Sequence, residues 1–182
     1  ANGSNTTGIN TLTVAPGMDY MVTLEDSSKV WLNSSSSIEF PFAFRGNTRE
    51  ISITGEAYLQ VAKNSSRPFI VHLPQSTVQV LGTEFNINTY EAGIEKVSLV
   101  NGSVNLKAHN QYIKLEPGMQ GINKKDQLFQ QTFDFKKTLS WRNGLLYFEE
   151  APLTEIAQVI QRWFNIKVVI DNDRNKHKRI VG

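Results

Sequence analysis

No cysteine occurs among the 182 residues. Disulfides, thiolate nucleophiles and cysteine-ligated zinc are thereby excluded. The compartment stays open, because many proteins of oxidising compartments also lack cysteine. Long apolar runs are missing too. None approaches the ~20 residues of a membrane-spanning helix, and no secretory signal peptide opens the chain. Charge of one sign is also scarce. The 19 Lys and Arg against 17 Asp and Glu leave a net +2, too little to argue for nucleic acid or an anionic membrane as partner. Glycine and proline are ordinary in number, so most of the chain is expected to fold.

What is present is alternation. From about Leu12 to Phe135, apolar residues recur with period two over short runs bounded by Gly, Asn, Asp and Ser. Examples are Val22 and Leu24, Val30 and Leu32, Ile51 and Ile53, Leu59 and Val61, Val78 and Val80, Phe85 and Ile87, Val104 and Leu106. This is the signature of half-buried strands. Four stretches share a plan of a turn residue followed by alternation, beginning at Asp26, Gly55, Gly82 and Gly102. Units of that spacing can stack. The expected fold is mainly β, a solenoid-like or twisted two-sheet domain.

The pattern changes near Leu139. Residues 144–149 read as a strand. Leu153, Ile156, Ala157, Ile160, Trp163 and Phe164 then form one apolar stripe at helical spacing. Pro152 suits the first turn of that helix and Asn165 its end. Residues 166–170 read as a further strand. The result is a small, incomplete βαβ α+β segment, which must lean on the β region or on further chain. The expected divisions are a linker or cut end over 1–11, the β domain over 12–137, and the βαβ segment over 138–182.

The sequence offers no catalytic constellation and no cofactor motif. His72, His109 and His177 lie far apart in sequence, without metal-ligand spacing. Glu56 and Glu84 occupy related places in two of the repeats and read as structural rather than as a glycosidase pair. Asp171, Asn172 and Asp173 lack the glycine and terminal glutamate of a calcium loop and read as a turn. Phe40, Phe42 and Phe44 alternate and would share one strand face, either core or a sugar platform. Arg174, Lys176, Lys178 and Arg179 form a short basic cluster, suited to a solvated loop or to an acidic partner surface.

The ordered set Leu24-Glu25-Asp26-Ser27-Ser28, Trp31-Leu32-Asn33, Arg49, Gly55-Glu56-Ala57-Tyr58, Arg67-Pro68-Phe69, Leu81-Gly82-Thr83-Glu84-Phe85, Gly102-Ser103-Val104 and Pro117-Gly118 resembles the periplasmic domain of FecR-type anti-sigma regulators. One departure is Asp26-Ser27, where that family usually has Asp-Gly; a turn needing positive φ would be less comfortable with serine. Trp141, Arg142, Gly144, Pro152 and Leu153 resemble the C-terminal segment of such regulators in Bacteroidetes-type bacteria, similar to the first half of a signalling (STN) domain.

The resemblance implies a binding module rather than an enzyme. It would be the periplasmic part of a single-pass inner-membrane protein, whose membrane helix and cytoplasmic sigma-binding segment are not in this chain. Its implied partners are the signalling domain of an outer-membrane TonB-dependent transporter and an ECF sigma factor. Lys167, Val169, Asp171 and Arg174 are the candidate docking residues, along an edge strand open to strand addition. The rival class is a carbohydrate-binding module of a surface glycan-uptake system.

Overall fold

In a computed structural model, which describes residues 8–125, 127–171 and 179–181, the chain forms two seven-stranded sheets packed face to face, with a helical tail laid over one of them. The first sheet runs β1 (Ile9–Thr13), β4 (Ser37–Pro41), β5 (Arg49–Thr54), β7 (Phe69–His72), β8 (Ser76–Val80), β11 (Val104–Ala108) and β12 (Gln111–Leu115). The second runs β2 (Tyr20–Thr23), β3 (Lys29–Leu32), β6 (Glu56–Gln60), β9 (Glu84–Asn88), β10 (Ile94–Asn101), β13 (Met119–Lys124) and β14 (Gln127–Thr132). Both sheets are therefore ordered as the chain is ordered. Apart from the single strands β1 and β6, consecutive pairs of strands go to alternate sheets, and among the described residues only β5 and β7 pair in parallel. The two expected arrangements merge here: a stepwise, solenoid-like progression builds a two-sheet sandwich.

Alternation in the sequence becomes the two faces of each sheet. Val30, Leu32, Leu59, Phe85, Ile87, Val97 and Leu99 from the second sheet meet Ile38, Ile51, Ile53, Phe69, Val71, Val78 and Leu106 from the first in one core. The repeats that begin at Asp26, Gly55 and Gly82 become β3, β6 and β9, which are neighbours. At Gly55 φ is +89° and a Cβ would fall 2.7 Å from Ser36 Cα. Only glycine fits there. The Asp26-Ser27 turn does need a positive φ, and Ser27 adopts 68°. Asp26 offsets the strain by accepting from the Ser28 amide (3.0 Å) and the Ser28 hydroxyl (2.7 Å).

The tail comprises α1 (Phe135–Leu139), a 3₁₀ turn (Ser140–Asn143), β15 (Ala151–Pro152), α2 (Leu153–Phe164) and β16 (Arg179–Ile180). Asp134 caps α1 by accepting from the Lys137 amide. Asn165 ends α2 with φ 52°, the left-handed conformation expected of it. Two expected strands are corrected. Residues 144–149 and 166–170 join no sheet among the described residues; β15 begins after the first and pairs with β16 instead. Leu145, Leu146, Tyr147 and Phe148 line a cleft, so their run reflects packing rather than a ladder. The Val168 amide is taken by the Gln161 side chain of α2.

The aromatic strand 40–44 is corrected as well. β4 stops at Pro41, Phe42 is 79% exposed, and Phe44 turns into the core against Phe69. Phe40 also packs against the core, so Phe42 alone of the three departs from the core reading.

Candidate partner-docking surface

The outer face of the second sheet carries one cross-strand row through all seven strands. By register it reads Met21, Trp31, Tyr58, Asn86, Ser98, Gln120 and Gln131. Trp31 and Tyr58 are aromatic, Met21 is aliphatic, and the other four are polar. The tail crosses it. Trp141 Nε1 donates to Asn86 Oδ1 at 3.1 Å. Next to it, the Arg142 guanidinium lies 3.8 Å from the Tyr58 ring and 4.6 Å from the Trp31 ring. Trp31 and Tyr58 meet edge to face, with centroids 5.8 Å apart. Planar cation over aromatic face is a favourable contact even where water reaches it.

A second clasp lies at the end of α2. The Gly17 amide donates to the Arg162 carbonyl at 2.7 Å. Arg162 also places its guanidinium 4.1 Å from the Tyr90 ring, and the Tyr90 hydroxyl donates to the Ser34 carbonyl. Burial, reinforced by the nearby charge of Glu56, pushes the Tyr90 hydroxyl well above the ordinary tyrosine range.

Glu56 sits beneath the tail. It is buried, and its carboxylate accepts from Asn33 Nδ2 (2.9 Å) and Asn86 Nδ2 (3.2 Å). Asn86 thus links the buried carboxylate to Trp141. Loss of hydration raises the Glu56 pKa, and these amides together with the Arg162 charge offset only part of that rise. A carboxyl that holds its proton more tightly folded than unfolded stabilises least when ionised. Its contribution is unopposed below the unfolded value of 4.5 and falls as pH rises through the window above it. Glu56→Gln is therefore expected to flatten the decline in stability above that value, measured as urea midpoints over a pH series. An unchanged slope would show that Glu56 does not titrate in that window.

The other singled-out groups have structural partners. Glu84 accepts from the Tyr58 hydroxyl at 2.8 Å, and burial followed by this carboxylate pushes the Tyr58 pKa up to about 12. Glu56 and Glu84 thus serve separate networks at opposite ends of β6. His72 pairs with Glu50 at 2.8 Å on an exposed face. No group of three or more metal-binding side chains converges among the described residues. Lys167, Val169 and Asp171 are all exposed on the segment after α2, Val169 by 66%. They do not lie on a formed strand. Arg174, with His177 and most of the basic cluster, lies outside the described residues. The sequence reading missed Asn86, Tyr90 and Arg162; nothing local marks them, since Asn86 meets Glu56 30 positions away and Tyr90 meets Arg162 from a still more distant part of the chain.

Between this sheet face and the tail lies a cleft of about 750 Å³. No helix among the described residues is long and apolar enough to cross a membrane.

A family profile described as FecR protein matches residues 10–105, and one described as FecR, C-terminal matches residues 145–182. No curated protein matches the chain significantly. Two crystal structures of a proposed anti-sigma factor from Parabacteroides distasonis are similar along nearly the whole length. One has a TM-score of 0.86 at 30% identity, covering 95% of this chain and 83% of that one. The other has a TM-score of 0.87 at 29% identity, covering 96% and 83%. With the FecR protein profile matched over more than half of the chain and the C-terminal profile following it in order, the chain belongs to the FecR family.

Proposed function

We propose that this chain is the periplasmic sensor region of a membrane-anchored anti-sigma factor. FecR membership makes it part of a signalling regulator. The observation that carries the finer reading is the tail, matched from residue 145 by the FecR C-terminal profile and held on the sandwich by Trp141, Arg142 and one backbone bond from Gly17 rather than fused into its core. A clasped element has a second position available, and a partner that prefers one position shifts the balance. The partner is the signalling domain of a TonB-dependent outer-membrane transporter. Its binding is relayed to an ECF sigma factor through segments outside this chain.

Docking falls on the tail. Among the described residues β15 and β16 form a sheet of two strands, and the exposed residues Lys167, Val169 and Asp171 lie between α2 and β16 in the sequence, as does Arg174. An extended segment of the transporter domain adds to this small sheet through backbone hydrogen bonds. Calorimetric titration of the periplasmic region with the signalling domain of the transporter encoded beside it is expected to saturate. Val169→Glu with Lys167→Glu is expected to weaken binding about tenfold or more. No binding between two folded proteins would remove the transporter as partner. Undiminished binding by the double variant would move the contact away from this segment.

A further inference from the structure

The cleft between the tail and the second sheet has a floor unlike an ordinary packing face. Asn86, Ser98 and Gln120 are nine-tenths or more buried there, alongside Glu56. Ser98 and Gln120 are bonded to one another, with the Gln120 amide on the Ser98 hydroxyl at 2.7 Å. An element docked only for stability would bury apolar groups at this depth. The walls come from the tail: Trp141, Tyr147 and Trp163 supply aromatic rings, and Gln158 supplies an amide from α2. Charges of both signs face the space. Lys137 meets Glu149 at 3.5 Å, and Arg162 acts on Glu56.

We propose that this cleft is a binding site for a neutral, hydroxylated ligand, a short saccharide. Its volume of about 750 Å³ falls in the range of small-molecule sites. The exposed amides of Gln131 and Gln158 present donors and acceptors together, which suits hydroxyl groups that are themselves both. Aromatic walls suit the apolar faces of sugar rings. Mixed charge disfavours phosphorylated or strongly anionic ligands, and the polar floor disfavours lipid. The ligand would touch the sheet and the tail at once and hold them together. It would therefore bias the position of the tail independently of any protein partner.

Maltotriose, cellotriose, xylotriose and N,N′-diacetylchitobiose serve as probes, titrated into the intact chain by calorimetry and by tryptophan emission. Trp141 and Trp163 line the cleft, so occupancy alters emission. At least one probe is expected to bind saturably with Kd at or below about 1 mM. Gln158→Ala removes an exposed lining amide from α2, and Gln131→Ala removes another that also donates to Gln120 Oε1 at 3.5 Å. Each is expected to weaken that binding about tenfold. Failure of all four probes to bind at about 10 mM overturns the proposal. So does binding that neither variant weakens, because the sugar then sits elsewhere. Titration of both variants with the transporter signalling domain separates this outcome from the partner reading, which does not require these glutamines.

Discussion

Arg49→Ala is expected to lower the stability of the sandwich by about 3–5 kcal/mol, read as a fall in urea midpoint at unchanged m-value. Arg49 begins β5 and is 1% exposed. Its Nη1 donates to Asp26 Oδ2 at 2.7 Å and to the Ala62 carbonyl at 2.8 Å. Its Nε donates to the Arg67 carbonyl at 3.0 Å, and the guanidinium lies 5.2 Å from the Phe69 ring centroid. One side chain therefore joins the β2–β3 turn to both ends of the β6–β7 connection. Alanine would leave a carboxylate and two carbonyls short of their donor in a nearly dry place. Arg49→Lys keeps the charge but has one nitrogen for three acceptors, so an intermediate loss is expected. A loss below about 1 kcal/mol for alanine would mean that water replaces the guanidinium at little cost.

The second large effect concerns the clasp. Trp141→Ala combined with Arg142→Ala removes the hydrogen bond to Asn86 and the contacts with Tyr58 and Trp31. Trp141 is half-buried, so its truncation is set at about 2 kcal/mol, below the range for a fully buried Trp. The exposed cation–π contact adds about 0.5–1 kcal/mol. Together these correspond to about a sixty- to 150-fold rise in the undocked population. Amide exchange in α1 and α2 should accelerate by that factor while the strands of the sandwich keep their protection. Equal acceleration in both parts would mean that tail and sandwich unfold as one unit. No acceleration would mean that Arg162 and Gly17 suffice to hold the tail.

The sandwich was legible because each strand carries its own burial pattern. Val30 and Leu32, or Leu59 and Val61, announce one buried face regardless of what covers it. The Asp26-Ser27 turn was legible for a local reason too, since the φ it needs is set by the turn. The tail was harder. Leu145 to Phe148 and Ile166 to Ile170 have strand composition, yet apolar residues can equally serve a cleft wall or an exposed approach to a partner. Arg49, Gly55 and Glu56 were visible as motif positions, but their roles were not. A buried arginine or glutamate is explained only by the groups that meet it, and Asp26, Asn33 and Asn86 come from 23 to 30 residues away. The clasp on Tyr90 was invisible for the same reason.

The order of strands has a consequence for how the protein is made. Each antiparallel pair is added beside strands already delivered, first to one sheet and then to the other, so growth proceeds from the β1 and β2 edges toward β12 and β14. A chain delivered from its N-terminus can thus fold as it emerges, without waiting for a distant segment to complete an earlier sheet. The row that receives the tail is finished only when Gln131 of β14 joins it, a few residues before α1 begins. Trp141 and Arg142 consequently arrive at a completed surface, so the sandwich is in place before the element read as the signalling part docks on it.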